Sequence, residues 1–539
     1  MVVPSEAQIV DAVKTHLKIS SADDPDFARL LATLELENDW TDVSAKKFQS
    51  ILTKNNILSP PSTSSTTTAA AASNSGGGGS KKKNKSKTSA GVPKSFIDDS
   101  ISIPAGIRGV YFDSVKGKGL VSTRKFTTGE LLFTEQAYIA TPPPEALDQV
   151  CSGELCAQCF LPVSSAPVQL AIKNCKTCKY RFCTSACHQT AMATHHGLLC
   201  TGGPNGQAVK QLMQVISGSK WQSLHCVARS LARLLMSLTP YYNNIINRSA
   251  SNKSNNVGAG RRKCDESNAE DMVKEFGDFE TIFSRLSSFA TVSELERRTR
   301  NPGWTTEKES FTTLLNTAHE ALRAALDPYH PSRTISKDLT NHNTTITSST
   351  SSPFVVDHDL IYKVKSRKSQ IKDLFDPNTF LKLIGKANIN MEKFGGLYSL
   401  HSFLNHSCSP NVEIRHVPNR GILSSMQVAA LALREIEKGE ELVISYIDLK
   451  NNSNLGRRQL LLYRDYCFGP CICNRCTNQL EKIGLQYNSQ KLGVKAFLQD
   501  VANKSATTVL ETNNLDNLND NNHGKHQNLE EELRASLGF

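Results

Sequence analysis

Apolar residues recur at helical spacing from the start of the chain: Ile9, Val13 and Leu17, then Leu30, Leu31 and Leu34, then Phe48, Ile51 and Leu52. This predicts a small helical module over residues 1–58, or a helical arm folded onto a larger body. The pattern then stops. Pro60 to Lys87 is Ser/Thr/Ala-rich, passes through Gly76-Gly77-Gly78-Gly79 and ends in a lysine run, so residues 59–100 read as a disordered basic linker. Strand-like runs appear at Val110-Tyr111-Phe112 and Leu131-Leu132-Phe133, between glycine turns, within 101–150. A cysteine-rich block fills 151–200. Residues 201–384 carry two one-face helical patterns, Val227/Leu231/Leu234/Leu235/Leu238 and Phe311/Leu314/Leu315/Leu322/Leu326. Polar inserts at Asn243–Ser267 and Ser332–Ser352 predict surface loops. Short strands and turns return from Gly395 to Tyr446, giving a core over 385–448. A second cysteine segment spans 449–480. Asn-rich sequence (Asn513 to Asn528) marks 481–539 as a mostly disordered tail, with one short helix expected at its end. No internal repeat is present.

Composition narrows the class. The 539 residues give room for about three domain-sized units. Hydrophobic residues make up 39%, enough for a sizeable core. The start, Met1-Val2-Val3-Pro4-Ser5-Glu6, is not a secretory signal, and the longest apolar runs, such as Val428–Leu433, are strand-sized. A soluble intracellular protein is therefore expected, with no membrane partner, and its 15 cysteines should be reduced, so close spacings point to metal before disulfides. A net charge of +11 suits chromatin or nucleic acid as a partner without deciding for either. Lys81, Lys82, Lys83, Lys85 and Lys87 could act as an import signal, a contact to DNA phosphates, or only a solvated spacer.

The cysteine block is more specific. Cys156-x2-Cys159, Cys175-x2-Cys178, Cys183-x3-Cys187 and His196-x3-Cys200 supply eight ligands in four pairs, enough for two tetrahedral zincs. An i, i+4 pair can aim two donors from one helix face. His195 stands as an alternative to His196, and Cys151 falls outside the pairing. The ligand order resembles a MYND finger. That resemblance implies interleaved sites: Cys156, Cys159, Cys183 and Cys187 on one zinc, Cys175, Cys178, His196 and Cys200 on the other. With no position left for water, both zincs would be structural.

Three separated segments carry the candidate chemistry: Lys116-Gly117-Lys118-Gly119-Leu120, Asn405-His406-Ser407-Cys408-Ser409-Pro410-Asn411, and Glu441-Leu442-Val443-Ile444-Ser445-Tyr446. Each alone is weak; a G-x-G is usually a turn, and a lone tyrosine a core residue. In this order, followed by Cys471-x-Cys473-x2-Cys476, they resemble the SET-domain family of lysine methyltransferases. A finger between the first and second motifs resembles its SET-and-MYND branch, and a fungal type of histone lysine methyltransferase within it. The likeness covers about Ile107 to Cys476. The 63 residues after Cys476 are too few for the large C-terminal helical domain of animal members, so any substrate preference set there does not transfer.

The resemblance implies an α+β fold: a mainly-β SET domain with a pseudoknot-like active site, an inserted zinc finger, a helical insert and a zinc-bound post-SET segment. It implies S-adenosylmethionine as methyl donor. Tyr446 would be catalytic, with Tyr398 a second wall of the lysine channel. Lys118, Gly119, Asn390, Asn405, His406, Tyr446 and Phe468 would contact the cofactor. Cys471, Cys473 and Cys476 make three ligands of a third zinc, with Cys408 as fourth and Cys467 its alternative. The substrate would be a histone, tail lysines of histone four in the first place, or another lysine-bearing protein. The enzyme would act as a monomer in nucleus and cytoplasm. Two rival readings are a catalytically degenerate chromatin adaptor and a zinc-dependent nucleic-acid binder. Asn405, His406 and Tyr446 argue against the first, and the missing basic recognition helix against the second.

Overall fold

The computed structural model describes residues 4–19, 48, 51–52, 92–166, 172–239, 277–301, 304–332, 367–392, 394–418, 426–487, 494–501 and 504. The chain divides into two units, Met1–Ser86 and Lys87–Phe539. In the first, α1 (Glu6–Ile19) starts where Ser5 and Gln8 cap each other: the Ser5 amide donates to Gln8 Oε1 at 2.9 Å and the Gln8 amide to Ser5 Oγ at 3.4 Å. Ile9, Val13, Phe48, Ile51 and Leu52 are buried, as the apolar spacing predicts. Residues 59–91 of the linker, the polar inserts and the Asn-rich stretch lie outside the described residues; residues 92–100 are not disordered, since Lys94 pairs with Thr291 and Ile97 packs on the core of the strands.

In the second unit the strands run β1 (Ile107–Asp113), β2 (Gly117–Ser122), β3 (Leu131–Gln136), β4 (Ile139–Ala140), β5 (Lys173–Asn174), β6 (Arg181–Phe182), β7 (Gly396–Leu397), β8 (Asn405–His406), β9 (Val412–His416), β10 (Gln427–Ala432) and β11 (Glu441–Ile444). One sheet has the order β1-β2-β11-β8, antiparallel except that β11 and β8 are parallel. A second, β3-β10-β9, is antiparallel. Leu120, Phe126, Phe133, Phe403, Leu442 and their neighbours form the core of these strands. The β1–β2 turn is set locally: Asp113 Oδ1 accepts from the amides of Val115 (2.8 Å) and Lys116 (2.7 Å), and Gly117 follows at φ +72°, a conformation glycine adopts freely.

The helices of this unit include α2 (Ser185–Ala191), α3 (Gly206–Gly218), α4 (Gln222–Met236), α5 (Phe279–Ser288), α6 (Glu294–Arg298), α7 (Trp304–Leu326), α8 (Pro377–Asn390), α9 (Leu455–Tyr466) and α10 (Asn474–Lys482). α3, α4, α5, α7 and α8 share a core separate from that of the strands, and α9 and α10 pack together in another. α8 begins as its sequence dictates: Asp376 caps the amide of Asn378 at 2.8 Å and Pro377 takes the first turn. α4 is buried all round, and so are its Arg229 and Arg233. Both are tolerated because carbonyls receive them: Ala140 and Ala157 (2.7 Å) accept from Arg229, and Tyr138 (2.5 Å) from Arg233. These bonds tie the helical core to β4 and to the cysteine block.

Two further expectations change. Cys183/Cys187 do not share a helix face: α2 starts at Ser185 behind its Thr184 cap, so Cys183 follows β6 and only Cys187 is helical. The 481–539 segment is not disordered from its start: residues 494–501 are helical, with Phe497 and Val501 buried against Leu455, Leu462 and Leu480. They are richer in apolar side chains than the sequence of the Asn-rich run.

Candidate functional site

The cysteine block condenses into two clusters, each with four donor atoms within 4.8 Å of one another: Cys156, Cys159, Cys183, Cys187 and Cys175, Cys178, His196, Cys200. Cys159 and Cys183 Sγ are 3.5 Å apart, Cys183 and Cys187 3.7 Å, Cys175 and Cys200 3.7 Å. Two thiolates on one tetrahedral zinc stand about 3.8 Å apart, and a disulfide about 2 Å, so the spacing fits a shared zinc. His196 Nε2 reaches 3.6 Å from Cys178 Sγ, whereas His195 turns away, its Nε2 2.7 Å from Arg229 Nη2. Cys151 sits beside the block, 3.5 Å from the Tyr180 hydroxyl.

A third cluster joins Cys408 to Cys471, Cys473 and Cys476, again within 4.8 Å. Cys467 is outside it; it closes α9 in a left-handed turn with φ +56°. The cluster is braced from α9. Gln459 grips Cys471 by both backbone groups, donating to its carbonyl at 2.9 Å and accepting from its amide at 2.8 Å. The buried Arg458 guanidinium lies 3.8 Å from Cys476 Sγ, a cation beside thiolate charge.

The second and third sequence motifs meet through the β8–β11 pairing, which sets Val443 against Asn405 and Ile444 against His406. Asn411 clamps the crossing: its side chain accepts from the Val443 amide (2.8 Å) and donates to the Glu441 carbonyl (2.8 Å). His406 bridges two parts of the site. Its Nδ1 accepts from the Tyr446 amide at 3.0 Å, which leaves Nε2 as the protonated nitrogen, 3.3 Å from Cys408 Sγ. Tyr446 donates its hydroxyl to the Leu404 carbonyl at 2.8 Å, and Tyr466 donates to the Tyr446 carbonyl at 2.8 Å. The rings stack around this knot: Tyr446–Tyr466 at 5.0 Å, His406–Tyr446 at 5.3 Å, His406–Phe468 at 5.8 Å. Burial raises the Tyr446 hydroxyl pKa and pushes that of Tyr466 up to about 12, so both stay protonated donors.

The remaining predicted residues frame this cluster at different removes. Asn405 donates to the Lys118 carbonyl (3.1 Å) and Glu441 Oε1 (3.0 Å). A Cβ on Gly119 would stand 2.9 Å from Asn405 Nδ2 and 2.4 Å from the Phe112 ring, so only glycine allows this approach. The Lys118 ammonium points elsewhere, to Ser402 Oγ at 2.9 Å and over the Phe403 ring at 4.2 Å, and burial lowers its pKa to about 7. Asn390 commits its amide protons to the carbonyls of Ala290 (2.7 Å) and Lys386 (2.8 Å), leaving its side-chain oxygen to accept. Tyr398 is fully buried beside His401 and His416, ring centroids 6.0 and 6.5 Å away. Burial, with the Glu392 charge adding to it, raises the hydroxyl pKa of both Tyr398 and Tyr466. Sequence reading missed Tyr466 and Glu441. The signal for the first was the Tyr466-Cys467-Phe468 run directly ahead of the Cys471 pair.

Residues 117–447, more than half of the chain, match the SET domain family model. Over its full length the chain is 56% identical to histone-lysine N-methyltransferase SET5 of Mycosarcoma maydis, covering 100% of both. It is 24% identical to the Candida glabrata protein of the same name (68% of this chain, 57% of the relative) and 25% identical to the chicken protein-lysine N-trimethyltransferase SMYD5 (69% and 86%). The chain belongs to the SET-domain family. Its activity is S-adenosylmethionine-dependent methyl transfer to lysine side chains of proteins.

Proposed function

We propose that the chain methylates lysines of histone tails, those of histone four first, and acts on chromatin in the nucleus, with a further pool in the cytoplasm. Support for the histone class comes from the full-length relative, whose name gives that substrate. The observation that carries the catalytic assignment is the Tyr446 hydroxyl donating to Leu404 O. Its proton is spent, so its oxygen faces outward as an acceptor for an amine N–H. The substrate amine must reach the site uncharged, although free lysine has a pKa of about 10.4. Walls of Tyr446, Tyr466 and Tyr398 disfavour the ammonium by desolvation, and the tyrosines, held protonated by burial, do not supply a counter-charge. Positioning then carries the reaction.

S-adenosylmethionine, when bound, supplies a methyl group on a sulfonium. The residues present fit it on two observations: the Gly119 approach, which a side chain would fill, and the half-buried Phe468 ring beside His406. Asn405 and the His406 backbone would hold the adenosyl portion with Phe468 stacked on it. Gly119, Lys118, Asn390 and Tyr446 would line the amino-acid and methyl end. Three zincs would be held, the third by Cys408, Cys471, Cys473 and Cys476, all structural because each donor set is complete at four. The segments around β8 and β11 would form the pseudoknot-like arrangement of the family.

The test incubates purified enzyme with labelled methyl donor and each recombinant histone, free and in nucleosomes. Label should enter histone four, at tail lysines. Label confined to non-histone proteins of an extract would overturn the substrate assignment while leaving the activity intact.

A further inference from the structure

Beside the aromatic knot, α6 and the C-terminal end of α9 face each other across an open cavity of about 260 Å³ lined by Arg297, Arg298, Asn301, Arg464 and Asp465. Every residue of the wall is polar or charged, and three of the five are arginines. Glu294, fully buried beneath it, anchors the arginines: Arg297 Nε and Nη2 donate to it at 2.8 Å each and Arg298 Nε at 3.0 Å, while Asn388 adds a bond at 2.8 Å. This carboxylate is saturated by four donors and lies behind the guanidinium groups. Arg297 Nη1 and both Nη atoms of Arg298 donate to no acceptor among the described residues. Arg298 is also pinned from below, its Cζ 4.3 Å over the Phe311 ring. On the far wall Arg464 is oriented by a two-pronged pair with Asp465, at 2.8 and 3.0 Å. Arg300 is close by, its Cζ 5.1 Å over the Tyr463 ring of α9.

We propose that this cavity is a subsite for a phosphomonoester carried on the substrate polypeptide, so that the enzyme reads a phosphorylated side chain near the target lysine. Two pre-oriented guanidinium groups with unspent N–H donors, Arg297 and Arg298, with the Arg464 charge opposite them, match the geometry of a tetrahedral dianion. They repel the basic residues that dominate a lysine-rich substrate. A recess of this size admits one projecting phosphorylated side chain, whereas duplex DNA presents its diesters along a convex ridge. The cavity also lies close to the reaction. Asp465 and Arg464 directly precede Tyr466, and the Arg297 charge is felt at the Tyr466 hydroxyl. A phosphate held here fixes the register of the chain passing beside Tyr446 and Tyr466. The inference rests on the reading of Tyr446 and Tyr466 as the lysine-binding walls.

The experiment uses the full chain and a set of histone-tail peptides with one target lysine and a phosphoserine at successive offsets, each beside its unphosphorylated parent. At one or two offsets the phosphate should lower KM about tenfold with kcat within about twofold, the size expected of a few partly exposed charge-assisted bonds. Arg298→Gln and Arg464→Gln should each remove that advantage while leaving KM for the unphosphorylated peptide within about twofold. Zinc content and the circular dichroism spectrum check each fold, and either variant alone suffices if the other does not fold. Fluorescence anisotropy of the labelled phosphopeptide, displaced by inorganic phosphate and by a duplex, gives a second readout that needs no turnover. If the peptides bind but are not methylated, the substrate reading fails and the subsite stands. Equal KM at every offset overturns the subsite, as does an arginine dependence seen for duplex DNA and not for phosphopeptide.

Discussion

The cysteine block and the catalytic strands hold their residues in place by opposite means. Between residues 151 and 200 the strands β5 and β6 are two residues each, and one helical run, α2 continued through a π turn at Met192–His196 to Leu199, carries Cys187 and His196. There, order comes from two four-donor clusters with Phe182, Leu161 and Val163 packed around them. Around Tyr446, order comes from the β8–β11 pairing and from side chains such as Asn411 that bond the backbone of a distant motif. A metal-built region should fail when its metal leaves, and a strand-built one should not. The third cluster is where the two strategies meet, since Cys408 belongs to the same motif as Asn405 and His406, and the His406 ring links its sulfur to the Tyr446 amide.

The largest expected effect isolates the strand-built side. Tyr446→Phe deletes the hydroxyl bonded to Leu404 and should lower kcat about 100-fold or more, with three zincs per chain retained by elemental analysis. A folded variant with full turnover would remove Tyr446 from the reaction. Next, Cys408→Ser should lose one zinc and weaken cofactor affinity, by about 10- to 100-fold in a binding titration, because metal, His406 and Tyr446 are coupled. If three zincs remain, Cys408 is not the fourth ligand. Weaker still for catalysis, Cys175→Ser should cost one finger zinc and expose the finger to protease, yet change methylation of a free peptide by less than about threefold. Arg229, which joins the finger to α4 and β4, is the route by which a larger loss would arise.

These motifs were legible in the sequence because metal ligation and strand crossing both demand particular residues at short spacing. The Cys and His pairs a few residues apart could be read from spacing, whereas their interleaving and the place of Cys408 beside Cys471, Cys473 and Cys476 were implied by the family resemblance; Asn405-His406 opens one recognisable string and Tyr446 closes another. What could not be read was the direction of side chains within those strings. Nothing local says that Lys118 points to Ser402, or that His406 spends its ring on Cys408 and Tyr446; tertiary packing decides both. The i, i+4 spacing of Cys183 and Cys187 suggested a helix face, but the Thr184 cap starts the helix one residue too late. Tyr466 was overlooked because its role depends on α9 delivering it to the Tyr446 carbonyl, a contact across 20 residues.

The smallest predicted effect concerns the helical core, which uses neither metal nor strand pairing. Lys386 is half-buried there, its ammonium set among apolar residues, donating to the Leu286 carbonyl at 2.6 Å and lining a cavity with Leu231, Leu374 and Leu397. Desolvation lowers its pKa from 10.5 to about 8. Between those values the unfolded chain binds a proton that the folded chain does not. Stability therefore rises with pH across this window, and below about pH 8 the cost of burying the ammonium is constant and fully present. Lys386→Met removes the charge, keeps the length of the side chain and fills the same apolar surroundings. At pH 7.5 the variant should melt a degree or two above the parent, on the order expected for a modest stabilisation in a chain of this size. The gap should narrow as pH rises above 8 and close only above about pH 10.5, where the lysine is neutral in the folded and the unfolded chain alike. Difference melting curves across pH 7–11 measure this directly, because every other titrating group is common to both proteins. A parent and variant separated by the same interval at every pH would mean that the Lys386 ammonium meets no burial penalty.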